Sequence, residues 1–206
     1  RVWRDITARG TGADAPTVLH TGVTIGYAVD PLSAWFLVTF AVLAVPVAVY
    51  SVGYLAHAIP PGRTAFVGVA WNVLLMAVET VFAADGVLGF LVAWELMSLA
   101  TAVLVATDHE SRPSRRSAFL YLAMSHLGTG CLVAAFFLLA SGSGSLAFGD
   151  ILGAAAAASP WRGLLFVLFL VGFGVKAGVV PLHVWLPEAH PAAPSNVSAL
   201  MSGGLV

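Results

Sequence analysis

The amino-acid sequence predicts an all-α, polytopic transmembrane helix bundle with a discontinuous (broken) helix, as a fragment of a larger fold. Hydrophobic residues make up 59% of the chain and charged residues 9%, whereas soluble domains are roughly half apolar and a quarter charged. The apolar residues fall into runs close to the ~20 residues that a helix needs to cross the hydrocarbon core. A glycine and a proline interrupt one of these runs beside the only lysine. These features favour membrane spans over a soluble domain.

Two regions are predicted along the chain. Residues 1–31 are polar and form an extramembrane segment with a short hairpin, because the stretch VTIGYAVD alternates like a strand. Residues 32–206 form the transmembrane domain, with a surface helix over Gly149–Ala158 in a long loop. A sixth span begins near Ser195 and is truncated at 206. The preceding spans are Leu32–Ala56, Thr64–Ala84, Gly86–Thr107, Ser117–Ala140 and Gly163–Leu186.

The arginines predict the orientation in the membrane. One side of the bundle carries Arg63, Arg112, Arg115 and Arg116, whereas the other side carries only Arg162 near a span end. By the positive-inside rule, the side of the SRPSRR sequence is cytoplasmic. If a further helix preceded this chain, the arginines near its start would add positive charge to the opposite side of the membrane and weaken this assignment. These arginines are Arg1, Arg4 and Arg9.

Several functional classes lack the residues that they need. The formal charge of −1 gives no reason to expect a nucleic acid partner. Cys131 is the only cysteine, so the chain offers no internal disulfide, no CxxC pair and no iron–sulfur or zinc ligand set. The GFGVKAG stretch has the glycines of a phosphate loop, but it lies inside an apolar span rather than between a strand and a helix. We therefore expect no cofactor and no metal site.

Three ionisable residues lie inside the predicted spans: Glu79, Glu95 and Lys176. A charge at a helix centre costs ~2.5–3.5 kcal/mol on insertion scales, so such residues usually face the bundle interior and find a partner. Glu95 is nine residues from Gly86, which is ~13 Å along a helix and close to the bilayer midplane. We expect a proton or ion site at Glu95, with a structural carboxylate as the alternative. Glu79 is near the turn at Asp85, where its side chain can reach the surface.

Lys176 precedes a predicted helix break at Gly178 and Pro181. Pro181 has no N–H to donate to the Ala177 carbonyl, and its ring clashes with that turn. Open backbone at membrane depth is tolerated only where it is buried in protein or lines a wet cavity, and discontinuous helices recur in ion-coupled transporters. Burial disfavours a charged lysine while a nearby carboxylate favours it. A pair formed by Lys176 and Glu95 across helices therefore predicts a proton switch, with an ordinary proline kink as the alternative.

Two histidines are candidate proton relays, since histidine titrates closest to neutral pH. His126 lies well inside its span, and His183 follows Pro181 by two residues. Each can carry protons, or can simply hydrogen-bond a backbone carbonyl. The seven-residue spacing of His183 and His190 is not that of a usual metal pair.

Three stretches of the sequence resemble one known family. They are LGFLVAWELMSL, FLYLAMSHLGTG and GVKAGVVPLHVWLPEAHPAAPSNVSALMSG. They are similar to the antiporter-like, proton-translocating membrane subunits of respiratory complex I, energy-converting hydrogenases and multisubunit sodium/proton antiporters, and most of all to the hydrogenase-4 component B type. The resemblance covers nearly the whole chain from about Val23, and the run K-x4-P-L-H-x-W-L-P-x-A-H is its most specific part.

The resemblance implies two inverted repeats in the whole protein, each with a broken helix. This chain then holds the third helix and most of the first repeat, truncated at 206, with Glu95 and Lys176 at the family's glutamate and lysine positions. The next relay residue of the family lies about where the chain stops. The resemblance also implies that the partners are other membrane subunits and the lipid bilayer, that the cargo is protons or sodium ions, and that the protein is multi-pass in the inner (plasma) membrane.

The predicted function is ion (proton) translocation through a buried Glu-Lys-His relay in a membrane-bound, redox-driven complex of the hydrogenase-4 or NADH-quinone oxidoreductase type. The chain has no residues for a redox centre of its own. The alternative is a subunit of a stand-alone multisubunit sodium/proton antiporter without a redox partner. A third reading is a structural anchor that moves no ion, which the cost of burying Lys176 and Glu95 disfavours.

Overall fold

The computed structural model describes residues 17–18, 24–151 and 160–205, and regular structure in these ranges is almost entirely helical. Two short strands are the exception, since β1 (Thr17–Val18) pairs antiparallel with β2 (Thr24–Ile25). The prediction of an all-α bundle is confirmed. Most of the predicted N-terminal segment and most of the predicted surface helix lie outside the described residues.

Four long helices form the frame of the bundle, and each is long and apolar enough to cross a membrane. Proline stands in the first turn of three of them, where its fixed φ suits the helix and its missing N–H costs no bond. The Asp30 carboxylate caps the first helix by accepting from the Ser33 N–H at 2.6 Å, and this bond lowers the pKa of Asp30. The four helices are α1 (Pro31–Ala58), α2 (Pro61–Ala83), α3 (Val87–Val105) and α4 (Arg112–Ser143).

Shorter helical pieces follow α4. One of them, α6, has only 15 residues, which is about 22 Å of helix against a hydrocarbon core of about 30 Å. The predicted span Gly163–Leu186 is therefore interrupted, and the predicted discontinuity is confirmed. The pieces are α5 (Phe148–Ile151), α6 (Arg162–Lys176), a 3₁₀ turn (Leu182–Trp185), α7 (Leu186–Ala192), α8 (Ser195–Leu200) and a π turn (Met201–Leu205).

The turn between α2 and α3 is short, as predicted, and two neighbouring loops hold it. Helix α2 ends at Ala83 and α3 begins at Val87. The Asp85 N–H donates to the Gly26 carbonyl at 3.0 Å, and the Phe148 N–H donates to the Asp85 carbonyl at 3.3 Å. The loops before α1 and α5 thus close over this end of the bundle.

The arginines of α2 and α4 lie at the opposite end. Arg63, in the first turn of α2, forms ion pairs with Glu110 and, at 3.7 Å, with Asp108 in the turn that follows α3. Arg115 donates to the carbonyls of His109 and Glu110 at 2.6 and 2.9 Å. Exposed ion pairs contribute at most about 1 kcal/mol, so these contacts order the turn more than they stabilise the bundle.

Helix α3 is the centre of the bundle. In its most apolar stretch 61% of the residues are buried, against 11% for α1. Rings from α3, α4, α5 and α6 pack edge to face or stack at centroid distances of 5.0–6.3 Å, and such pairs add about 0.5–1.5 kcal/mol each beyond the area that they bury. This packing holds α3 and α6 in a fixed relation. The rings are Phe90, Trp94, Phe136, Phe148, Phe169 and Phe173.

Helix α8 is attached to α1 by a buried amide. The Asn196 Nδ2 donates to the Ser51 Oγ at 2.9 Å, and the Ser51 hydroxyl donates to the Val47 carbonyl at 2.7 Å. Hydrogen bonds between membrane helices are worth about 0.6 kcal/mol on average and up to about 1.7. The bond therefore sets the position of the start of α8 against α1.

Two glycines bring α4 and α6 into close contact just before α6 ends. A Cβ on Gly172 would lie 2.5 Å from the Cδ2 of Leu132 and 3.2 Å from the Gly128 carbonyl oxygen, and a Cβ on Gly128 would lie 3.0 Å from the Gly172 carbonyl oxygen. Leu132 is fully buried and cannot move aside. Small residues at such crossings let helix backbones approach closely in a membrane.

We predict that Gly172→Ala destabilises the bundle by about 1–3 kcal/mol, because the added methyl overpacks the α4–α6 contact. The matched control is Gly130→Ala on α4, where a Cβ has open space and the higher helix propensity of alanine stabilises slightly. Thermal unfolding of the purified full-length protein in detergent measures both. Equal stability of the two variants would contradict this account of the contact.

Candidate functional site

Helix α6 ends at Lys176, five residues before the proline that predicted the break. The Ala177 N–H still reaches the Phe173 carbonyl at 2.9 Å, but the Val179 N–H shifts to the Gly174 carbonyl at 3.0 Å. Pro181 has no N–H to resume the pattern. Regular structure returns only at the 3₁₀ turn of Leu182–Trp185.

Gly178 is required at this break. Its φ is +65°, a left-handed conformation that costs little only for glycine. A Cβ at this position would also overlap the Cδ1 of Leu186. The backbone can therefore leave the helix immediately after Lys176 only because Gly178 has no side chain.

Trp185 closes the open end of α6. Its indole N–H donates to the Val175 carbonyl at 2.8 Å, which also accepts from the Gly178 N–H at 3.3 Å. Its ring packs edge to face on Tyr121 of α4, with the centroids 5.1 Å apart and the planes at 71°. A side chain from beyond the break thus satisfies the backbone before it.

The Lys176 ammonium is buried among hydroxyls and aromatic rings, and no carboxylate of the described residues contacts it directly. Only 6% of the residue is exposed. Its Nζ donates to the Tyr121 hydroxyl at 2.8 Å and to the Ser98 Oγ at 3.2 Å. It also lies 5.2 Å from the centroid of the Tyr121 ring and 5.7 Å from that of Trp94, within the range of cation–π attraction.

Glu95 contacts a histidine rather than the lysine. Its Oε2 is 3.4 Å from the Nε2 of His126 on α4, and no Glu95–Lys176 ion pair is seen among the described residues. The other carboxylate oxygen, Oε1, is buried and has no hydrogen-bond partner among the residues that the structure describes. Ser98, which holds Lys176, is three residues further along α3, so the two ionisable sites are about one helical turn apart.

The hydrogen bonds of His126 restrict where its protons lie. Its Nδ1 is 2.8 Å from the Leu122 carbonyl, which can only accept, so Nδ1 carries a proton. The Nε2 that faces Glu95 is therefore an acceptor in the neutral ring and a donor in the charged ring. The 3.4 Å contact between Nε2 and the Glu95 Oε2 is therefore an ion pair only when the ring is protonated.

A cavity of about 330 Å³ between α1, α2 and α3 extends to Lys176. Rings of α1 and α2 line it, together with Met97 of α3 and the glycines of the π turn. Among the described residues that line it, Thr39 of α1 and Trp94 of α3 carry polar atoms besides the lysine. The space gives the lysine side chain room to leave its hydroxyl partners.

Comparison with known sequences and structures assigns the chain to a protein family. Residues 84–206 match the family described as NADH:quinone oxidoreductase/Mrp antiporter, TM. The chain belongs to this NADH:quinone oxidoreductase/Mrp antiporter family. Residues 17–67 match a second family, described as NADH-ubiquinone oxidoreductase (complex I), chain 5 N-terminus. The resemblance predicted from the three sequence stretches is confirmed.

Individual relatives agree with this family membership. An uncharacterized protein of Mycobacterium tuberculosis (strain ATCC 25618 / H37Rv) is 43% identical over 86% of this chain and 27% of its own length. Hydrogenase-4 component B of Escherichia coli (strain K12) is 35% identical over 91% of this chain and 30% of its own length. A chain of the archaeal membrane-bound sulfane sulfur reductase complex has 26% identity and a TM-score of 0.76, over 98% of this chain and 32% of that one. The chain thus spans about a third of the length of these relatives.

Within the described part of the chain, the remaining site residues predicted from the sequence make no hydrogen bond or ion pair with Lys176. Glu79 is exposed on α2, and no contact joins it to Glu95 or Lys176 within the described ranges. His183 lies in the 3₁₀ turn, and its Nδ1 is buried with no hydrogen-bond partner. The structure brings together Glu95 with His126, and it leaves His183 and Glu79 outside that pair.

Sequence reasoning missed four residues of the site: Ser98, Tyr121, Trp94 and Trp185. Ser98 and Trp94 flank Glu95 on α3, and Tyr121 precedes His126 by five residues in the FLYLAMSHLGTG stretch. Hydroxyl and indole groups inside an apolar span were the available signal, because a buried polar group needs a partner. The helical spacing alone does not say which helix supplies that partner.

We predict that Gly178→Ala destabilises the protein by about 1–3 kcal/mol, since alanine is strained at a positive φ and its methyl overlaps Leu186. Gly68→Ala on α2 is the control, because a Cβ there meets nothing within 4 Å. Thermal unfolding in detergent measures the difference. An unchanged unfolding temperature for Gly178→Ala would show that the break does not need its left-handed residue.

Proposed function

We propose that this chain is part of an ion (proton) translocation subunit in a membrane-bound, redox-driven complex of the hydrogenase-4 or NADH-quinone oxidoreductase type. The observation that carries the proposal is the single lysine, which is buried at the break of a membrane helix among neutral hydroxyls and rings. Ionisable residues in such positions mark ion and proton pathways. The family and its curated relatives support this reading.

The relay starts from two sites that each hold a proton reversibly. One is the Glu95–His126 pair, whose atoms are 3.4 Å apart. The other is Lys176, about one turn away along α3. In the proposed cycle Glu95 changes partner from His126 to Lys176, and the new carboxylate contact favours the ammonium form. When the carboxylate returns to His126, the lysine loses its counter-charge and releases the proton.

The helix break supplies the freedom that this exchange needs. Because α6 ends at Lys176, the lysine backbone is not held by a following helical turn. The cavity beside it gives the side chain room to move. The buried, unpartnered Nδ1 of His183 makes that residue a further candidate acceptor for the released proton, as the sequence suggested. Glu79 has no assigned step, because it faces outwards on α2.

The wider setting of the subunit is also a proposal. By its family resemblance, the chain corresponds to the third helix and most of the first inverted repeat of a protein about three times its length. We place the end that carries Arg63 and the α4 arginines on the cytoplasmic side of the inner membrane. Its partners are other membrane subunits, which hold the redox centres, and lipid.

We expect Lys176→Met and Glu95→Gln, made in the full-length protein within its complex, each to lower proton uptake by about 10²-fold. Neither variant can exchange a proton at the changed side chain. Uptake is measured by quenching of a pH-sensitive dye in inverted membrane vesicles, with NADH or hydrogen as the electron donor. Glu110→Gln is the matched control, since that side chain is 75% exposed in a turn.

Normal uptake by both Lys176→Met and Glu95→Gln would overturn the proposal. A second arm imposes a sodium gradient with no electron donor. If the sodium gradient alone drives proton movement, and adding an electron donor does not increase it, the result would favour the stand-alone sodium/proton antiporter over the redox-driven complex.

A further inference from the structure

Tyr121 is the group in direct hydrogen-bond contact with Lys176 that can serve both protonation states of the lysine. Only 1% of Tyr121 is exposed. Its hydroxyl oxygen accepts from the Lys176 Nζ at 2.8 Å. Within the described part of the chain this hydroxyl has no other hydrogen-bond partner, so its own proton stays available.

The second hydroxyl cannot act in the same way. The Ser98 hydroxyl donates to the Trp94 carbonyl at 3.0 Å, so towards Lys176 it only accepts. An ammonium group has three N–H donors, whereas the neutral amine has two and a lone pair. When Lys176 gives up a proton, Tyr121 can donate to the lone pair by turning its O–H bond, whereas Ser98 can do so only by giving up its bond to the Trp94 carbonyl.

Tyr121 is also held from the far side of the helix break. Trp185 packs edge to face on its ring at 5.1 Å and donates to the Val175 carbonyl, one residue before the lysine. The same side chain therefore contacts the end of α6 and the ring that carries the lysine's partner. A movement of the segment after the break moves Tyr121 relative to Lys176.

We infer that Tyr121 is a positioning residue of the ion path, and that Trp185 couples it to the segment beyond the broken helix. The hydroxyl keeps Lys176 hydrogen-bonded whether the lysine is charged or neutral, so neither form is left with an unsatisfied buried group. This inference rests on the proposed function, because it assigns the group that makes proton exchange at Lys176 reversible.

In the described ranges, the elements around Lys176 carry several other titratable or charged groups. They are Glu95 on α3, Glu79 on α2, His126, Cys131 and three arginines on α4, and His183, Glu188 and His190 after the break. Glu95 and His126 contact each other, and His183 has no partner at its Nδ1. Tyr121 is therefore the one titratable side chain, among those described, with a direct hydrogen bond to the lysine.

The test is Tyr121→Phe in the full-length protein within its complex, which keeps the ring packed on Trp185 and removes the hydroxyl. We expect proton uptake to fall about 10-fold and its pH profile to move to lower pH. The hydroxyl stabilises the charged lysine more than the neutral one, because hydrogen bonds to charged groups are stronger, so its loss disfavours the charged form. Tyr50→Phe is the matched control, since Tyr50 is 53% exposed on α1. Rates are expressed per amount of assembled complex.

Trp185→Phe provides the second, independent measurement. It removes the N–H bond to Val175 but keeps an aromatic ring beside Tyr121, so we expect a smaller fall in uptake. In the Tyr121→Phe background it should add little, because residues that act as a unit are not additive. The control is Trp35→Phe, at a 69% exposed position.

The outcomes separate this inference from the proposed function. If Lys176→Met abolishes uptake while Tyr121→Phe keeps the wild-type rate and pH profile, the role of Tyr121 is overturned and the proposed function stands. If Lys176→Met also keeps wild-type uptake, the proposed function itself fails. Fully additive effects of Tyr121→Phe and Trp185→Phe would remove the coupling across the break.

Discussion

The burial of one ammonium group at the end of an interrupted helix is the constraint on which this structure depends. A charged lysine in the hydrocarbon region is unfavourable unless acceptors or aromatic faces meet its N–H donors. The chain meets this need with hydroxyls of α3 and α4 and with two aromatic faces. Helix α6 must therefore lie against both of those helices, and the rest of the packing follows from that position.

The contacts that hold α6 in place are of three kinds. Gly128 and Gly172 allow α4 and α6 to approach closely, and the phenyl rings of Phe90, Phe136 and Phe169 fill the space between helices α3, α4 and α6. Beyond the break, the Trp185 indole donates to the Val175 carbonyl in the last turn of the helix. Because lipid is as apolar as these side chains, shape and hydrogen bonds rather than hydrophobic burial drive this packing.

Glu95 and Lys176 have separate partners in this structure rather than forming one ion pair. In the described conformation the carboxylate contacts His126 and the lysine contacts hydroxyls. A direct Glu95–Lys176 pair, as expected from the sequence, would favour the charged lysine strongly and make proton release harder. Ser98, which accepts from Lys176, lies about one helical turn from Glu95 on α3.

The sequence by itself determined the membrane class, the spans that became α1 to α4, and the break after Lys176. These features are local, since run length, charge content and the Gly178–Pro181 spacing act within one segment. The candidate residues Glu95, Lys176 and His126 were also visible, because charged and imidazole groups are rare in apolar runs. Only the tertiary structure decided which groups contact each other. Ser98 and Tyr121 are 78 and 55 residues from Lys176 along the chain, and their convergence depends on helix rotation and on glycine contacts that no single span reveals.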